Sequence, residues 1–329
     1  MEPAGAGPWV LGPDYRDDDR YRSATAGRQE LADAFHAEGY VVVPDLVATA
    51  TVLAARSAGE AEYARRGPGT DRVTDAWRWR PGTRALATDL ATMDLVSFLL
   101  GRRAVPFQTL TFRVGTEQRA HADTIHFDTL PAGFTCGVWV ALEDVADDQG
   151  PLVVHPGSHR VPPSYPEDLG LAPGGDHATF DRGGYEDAVA AQVANLPSRR
   201  LPVAQGTAVV WAADLVHGGA AVDRPGSTRW SQVTHFFGEG CVYVTPQRSL
   251  RDVGRYAVRD PLMNVATGRP EPQPPAGWAF VRTPDRLTQV VPEGSSGPAT
   301  VPALAASTAL GLLRRAKWHA AALRDRVRP

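Results

Sequence analysis

Residues 121–128 read HADTIHFD and carry one pair of residue types twice, His121 with Asp123 and His126 with Asp128. On a strand, residues two apart face the same way, so either pair offers an imidazole and a carboxylate to one point. Two pairs five residues apart on one strand face opposite sides, so only one of them can serve a given ion. One carboxylate and two imidazoles on one side of a metal form the facial triad of non-haem Fe(II) oxygenases, which leaves positions open for a cosubstrate and O2. The second imidazole must come from a distant strand. The candidate is His217, in GTAVVWAADLVHGG, followed by Gly218 and Gly219, which leave room for a ligand beside it.

Such an iron centre draws its electrons from 2-oxoglutarate. The far carboxylate of that molecule needs a cation, best the two-pronged guanidinium of arginine. Arg229 lies twelve residues past His217, in STRWSQVTHFF. On that strand Arg229, Ser231 and Val233 share a face, so Arg229 and Ser231 can both reach the carboxylate.

The elements around these residues fall into three styles. Near the start, GRQELADAFHAEGYVVVPDL reads as a helix with Leu31 and Phe35 on one face, a stop at Gly39, then a strand. Two more helices are expected over 49–65 and 87–101. From 106 onward, short β-rich runs alternate with turns: FQTLTFRV, ADTIHF, TCGVWVALEDV, GPLVVHP, TAVVWA and RWSQVTHFF. This spacing indicates a β sandwich or barrel. A helix over 185–196 interrupts it, and the polar stretch 162–184 reads as a long loop of the kind that covers substrates. The three parts are a flexible leader (1–26), a domain (27–267), and a tail (268–329). The tail comprises a Pro/Gly-rich wrap and a basic amphipathic helix over 302–326 that docks on the domain.

Composition narrows the function classes. The 329 residues are 43% hydrophobic and 22% charged with a net charge of −3, an ordinary globular balance without the basic excess of a nucleic-acid binder. No apolar run is long enough to span a membrane, and the first residues lack the basic start and apolar core of a secretory signal. The two cysteines, Cys136 and Cys241, are far apart and outside any CxxC pair. A disulfide framework and a thiolate zinc site are therefore not expected, and a reducing cytoplasm is the natural setting.

In order along the chain, AFHAEGYVVVPDL, QRAHADTIHF, GVWVALEDV, DDQGPLVVHPGSHR, GTAVVWAADLVHGG and TRWSQVTHFF resemble the phytanoyl-CoA dioxygenase family of Fe(II)/2-oxoglutarate oxygenases, over most of residues 30–240. The resemblance implies a mainly β fold with flanking helices, the double-stranded β-helix or jelly-roll barrel. It implies that His121, Asp123 and His217 bind Fe(II), which breaks the tie within HADTIHFD, and that Arg229 pairs with 2-oxoglutarate. By the same resemblance Trp139 lines the cosubstrate pocket, Gln108 adds a polar contact, and the PGSH turn shapes the site. The chain departs from the family pattern at Gly219, where relatives often carry a polar group. Halogenating relatives replace the carboxylate with a small residue. Asp123 is present, so the expected outcome is hydroxylation of an unactivated C–H in a small molecule, with 2-oxoglutarate and O2 converted to succinate and CO2. The alternatives are desaturation, cyclisation or epimerisation at the same iron, or a non-catalytic ligand-binding jelly roll. His126 and Asp128 fall to a pocket wall or to solvent, and His235 to a structural role.

Overall fold

The computed structural model describes residues 7–67, 69–161, 165–171, 180–251, 254–275, 277–282 and 287–292. The helix expected over 302–326 lies outside the described residues. The first third is helical, apart from two short strands: α1 (Asp19–Arg22), α2 (Ala26–Glu38), β1 (Tyr40–Val43), α3 (Thr49–Arg66), β2 (Arg72–Thr74), α4 (Pro81–Ala87) and α5 (Leu90–Leu100). Helix α2 stops at Gly39, whose φ of 83° is the left-handed cap conformation that glycine adopts without strain. The helix expected over 87–101 starts at Leu90 because the Asp89 side chain accepts the Thr92 amide and caps it there; Ala87 ends α4 instead.

The β region follows: β3 (Ala104–Phe112), β4 (Asp128–Leu130), β5 (Thr135–Ala141), β6 (Leu152–Val154), then α6 (Arg182–Val193), β7 (Arg199–Leu201), β8 (Ala208–Ala212), β9 (His217–Gly219), β10 (Ser231–Gly238) and β11 (Val242–Val244). The major sheet is antiparallel throughout, in the order β1-β8-β5-β10-β3-β2, and the minor sheet runs β7-β6-β9. Period-two alternation gives the central strands two apolar faces. Val138 and Val140 of β5 and Val210 of β8 pack under the helices with Phe35, Val52 and Leu99. Trp139, Val209, Trp211 and Val233 point the other way and meet Leu152 and Val154 of the minor sheet. This is the mainly β jelly roll the motifs imply. Its two sheets face each other as a sandwich and, among the described residues, do not close into a hydrogen-bonded barrel.

Two stretches differ from their sequence reading. The leader is built into the fold: Trp9, Val10 and Tyr15 are buried, the Trp9 indole N–H donates to the Phe98 carbonyl at 2.6 Å, and the two rings meet edge to face. Past residue 262 the chain forms strands in place of a wrap: β13 (Leu262–Asn264) pairs with β14 (Arg269–Glu271). The hairpin of β15 (Trp278–Arg282) and β16 (Thr288–Pro292) joins β12 (Arg255–Tyr256).

Candidate metal and cosubstrate site

His121 and His217 meet as cross-strand neighbours. Each backbone N–H donates to the other's carbonyl at 2.9 Å, which puts their rings side by side with centroids 4.5 Å apart. HADTIHFD is not a strand. After the bridge at His121 the backbone turns into a 3-10 segment, Asp123–Ile125, so Asp123 swings back over the two imidazoles by a turn, and strand parity has no part in it. Its Oδ1 lies 3.8 Å from His121 Nε2 and 3.9 Å from His217 Nε2, all three side chains being buried. Two ligand atoms each about 2.1 Å from an ion lie at most about 4.2 Å apart, so both carboxylate–imidazole distances suit one ion.

The chemistry of these donors fits a divalent metal. His121 Nδ1 bonds the Arg119 carbonyl and His217 Nδ1 the Leu215 carbonyl, each at 3.0 Å. Both carbonyls accept, so both Nδ1 atoms carry the proton and both Nε2 lone pairs face the centre. The outer carboxylate oxygen, Asp123 Oδ2, accepts from the Trp211 indole at 3.0 Å and stands 3.4 Å from His235 Nε2, leaving Oδ1 toward the ion. Burial, aided by His217, pushes the His121 imidazole down to about 3, so it is a neutral donor at physiological pH. Burial alone would raise the Asp123 carboxyl; the imidazoles of His217, His235 and His121 outweigh it and hold the group below the usual carboxylate range. The Gln118 amide, 3.1 Å from His121 Nε2, must turn aside when an ion binds.

Neighbouring elements fix this arrangement. Ser158 of the PGSH turn accepts the Val216 amide at 2.8 Å and so holds the segment entering His217. Gly137 lies directly across from Trp211; a Cβ there would stand 2.4 Å from the indole. Gly218 does not open space for a ligand as anticipated: a Cβ on it would lie 2.6 Å from the Gln118 carbonyl, so backbone occupies that side.

A cavity of about 650 Å³ opens from the three ligands, and its wall includes Gln108, Trp139 and Arg229. Arg229 is 2% exposed. It donates to the Gly150 carbonyl at 2.9 Å, its Nε has no partner, and no carboxylate lies within 4.0 Å of it among the described residues. Burial lowers it to about 10. Its guanidinium carbon sits 5.9 Å from the centre of the Trp139 ring, whose indole N–H is also unpartnered. Ser231, next on the same face, is buried with an unpartnered Oγ, but it does not form part of the cavity wall. A buried guanidinium beside unpartnered donors is a cradle for a carboxylate.

The second pair of HADTIHFD splits. His126 is exposed on the cavity rim, whereas Asp128 is buried away from the ligands, accepting from the Thr129 and Gly133 amides and the Tyr165 hydroxyl. His235 is no mere scaffold residue: it lines the cavity and backs Asp123. The signal was in the sequence, since His235 continues the face of Arg229, Ser231 and Val233.

Residues 35–229 match the family described as phytanoyl-CoA dioxygenase, PhyH, over more than half of the chain. The chain belongs to the phytanoyl-CoA dioxygenase family. It is thus a member of a family of 2-oxoglutarate-dependent non-haem iron oxygenases. Among solved structures it resembles SnoN, an α-ketoglutarate-dependent epimerase of nogalamycin biosynthesis. Identity is 23% and TM-score 0.56, over 76% of this chain and 96% of that one. It also resembles the carbocyclase SnoK of the same biosynthesis, at 20% identity and TM-score 0.55 over 68% and 88% of the two chains. A third is EctD from S. alaskensis, crystallised with 2-oxoglutarate and 5-hydroxyectoine, at 20% and 0.52 over 72% and 84%. At these identities the likeness is one of fold. No curated protein matches the sequence. Among the described residues no helix is long and apolar enough to cross a membrane.

Proposed function

We propose that this phytanoyl-CoA dioxygenase family member binds Fe(II) through His121 Nε2, Asp123 Oδ1 and His217 Nε2, and hydroxylates a C–H of a small molecule. Arg229 is the anchor of 2-oxoglutarate, with Ser231 beside it and Trp139 and Gln108 along the wall. The observation that carries the reading is one cavity holding both a buried, pre-aimed His–Asp–His cluster and a buried guanidinium with no carboxylate within 4.0 Å among the described residues. The bound iron, with its cosubstrate, supplies the oxidant: substrate C–H, O2 and 2-oxoglutarate become C–OH, succinate and CO2.

The protein's own residues do the rest. The Arg119 and Leu215 carbonyls keep both imidazoles in the ligating tautomer. Trp211 and His235 occupy Asp123 Oδ2, so the carboxylate would offer the metal a single oxygen and leave room for a cosubstrate. The cavity volume lies in the range of small-molecule sites. That volume supports a small-molecule substrate. Cys136 and Cys241 are buried and form no disulfide, which supports a cytoplasmic setting.

Anaerobic addition of Fe(II) and 2-oxoglutarate is expected to raise a weak visible charge-transfer band, and a metabolite panel to trigger succinate formation. Arg229→Ala should lose the response to 2-oxoglutarate. A protein that shows neither band nor succinate refutes the reading. Product mass separates hydroxylation, a gain of one oxygen, from desaturation, cyclisation or epimerisation.

A further inference from the structure

Five arginines line the cavity, Arg72, Arg182, Arg229, Arg248 and Arg259, against a single carboxylate, Asp123. Arg182 is tied to Glu186 at 2.8 Å, and Arg229 is the cosubstrate anchor in the reading above. That leaves Arg72, Arg248 and Arg259, none with a carboxylate within 4.0 Å among the described residues. Elsewhere on the surface arginines are commonly neutralised, as Arg56 is by Glu143, Arg199 by Glu38 and Arg251 by Asp168.

The three come from separate elements. Arg72 sits on the edge strand β2, opposite Phe112 of β3, on the same face as Thr74, which also lines the cavity. Arg248 closes the 3-10 turn Pro246–Arg248, which packs against the turn carrying Asp123. Arg259 follows the bridge between Val244 and Val258, and its guanidinium stands 5.9 Å from the centre of the Tyr243 ring. The same cavity wall carries apolar side chains, among them Phe127, Tyr243 and Val258.

We propose that Arg72, Arg248 and Arg259 form a subsite for an anionic group on the substrate, a carboxylate, phosphate or sulfate. The apolar wall then takes the body of that molecule and sets its C–H toward the metal. Guanidiniums lining one concave site, with no carboxylate within reach among the described residues, concentrate and orient oxyanions. The inference rests on the oxygenase reading for the identity of the inner site, but the binding it describes can be measured separately.

The test is anaerobic calorimetric titration of the Fe(II)- and 2-oxoglutarate-loaded protein with phenyl phosphate, phenylacetate and benzyl alcohol. Saturating 2-oxoglutarate keeps Arg229 occupied, so the titration reports on the outer arginines. At least one of the two anions should bind about fivefold or more tightly than the neutral alcohol, and which one does so tells phosphate from carboxylate. Affinity should fall about fivefold in each of Arg248→Gln and Arg259→Gln, the scale of one exposed charge pair. It should recover in part with Arg248→Lys and weaken as salt rises. Melting curves establish that the variants fold, and the wild-type comparison stands without them. Anions bound no better than benzyl alcohol, or bound equally by the folded glutamine variants, overturn the inference. If the visible band forms while the anions fail, the subsite is wrong and the cofactor reading stands. If the band does not form, the cofactor reading is wrong, and the same titration of the metal-free protein decides the subsite.

Discussion

Replacing Arg229 with methionine should stabilise the protein while abolishing its response to 2-oxoglutarate. The side chain is buried, with one hydrogen bond, to the Gly150 carbonyl, and no counter-ion among the described residues. Burial lowers it from 12.5 to about 10. At about 1.4 kcal/mol per pH unit, this amounts to about 3 kcal/mol against the charged form. Guanidinium keeps its proton throughout the working range, so the cost is borne by the folded state at every pH below about 10. Methionine fills a similar volume without the charge. Losing the bond to Gly150 returns about 1 kcal/mol of the gain. The net is about 2 kcal/mol, or a rise of about 3 °C in melting temperature for a chain of this length. Differential scanning fluorimetry on the metal-free protein, without and with Fe(II) and 2-oxoglutarate under argon, reads both effects. In wild type, cosubstrate at about 100 times its Kd should add about 2.7 kcal/mol; in Arg229→Met it should add none beyond the metal alone. A variant that melts below wild type and still gains stability from 2-oxoglutarate would show Arg229 to be a structural cation, and the anchoring argument would fail.

The outer oxygen of Asp123 is the next point to probe: Trp211→Phe removes the 3.0 Å indole bond to Oδ2 and should weaken Mn(II) or Fe(II) binding about 10- to 100-fold in a competition titration. The two carboxylates of HADTIHFD should behave oppositely. Asp123→Ala should abolish iron-dependent turnover, whereas Asp128→Asn, which disturbs bonds to Thr129, Gly133 and Tyr165, should lower the melting temperature but leave metal affinity within about twofold. A pH effect follows from Asp214, which accepts from the Thr124 hydroxyl and is pushed up to about 7 by burial and by nearby Asp128. An acid raised in the folded state binds more protons there than when unfolded, so stability should fall as pH rises from about 4 through about 7. Melting at pH 5, 6, 7 and 8 should show that slope in wild type and a flatter one in Asp214→Asn.

Local signals carried most of the fold. Alternation along TCGVWVALEDV and TAVVWA set which residues face the helices and which face the minor sheet, and Gly39 and Gly101 end helices where the pattern placed them. What escaped was long-range. Nothing near Trp9 in the chain tells of its seat against Phe98, so the leader read as loose. Pro and Gly content after 268 suggested a wrap because cross-strand partners, not composition, make the β15–β16 hairpin. His121, Asp123 and His217 do come together, but not because His121 and Asp123 share a face of a strand. The pair is set by a bridge to His217 and a 3-10 turn, neither of which has a period to read. His235 was set aside because it stands alone in sequence. Its significance depends on β10 lying between β3 and β5, which brings it under Asp123.

In the function proposed above, the two sheets divide the labour. The three ligands belong to the edge of the minor sheet and the adjoining turn, where strands are short and backbone irregular. The groups that aim them, Trp211 and His235, and the proposed cosubstrate anchor Arg229 belong to β8 and β10 or the residues entering β10, in the interior of the six-stranded sheet. Central strands buried on both faces hold side-chain positions tightly, because each must fit neighbours above, below and beside it. The proposed metal and cosubstrate positions are therefore referenced to a tightly packed layer of the molecule. The outer wall, with Arg72 on an edge strand and Arg248 and Arg259 on connecting segments, lies where the chain can change without disturbing them. If the arginine subsite is as proposed, substrate choice resides in elements separate from those that set the inner chemistry, and swapping charge at the mouth should redirect the one while sparing the geometry of the other.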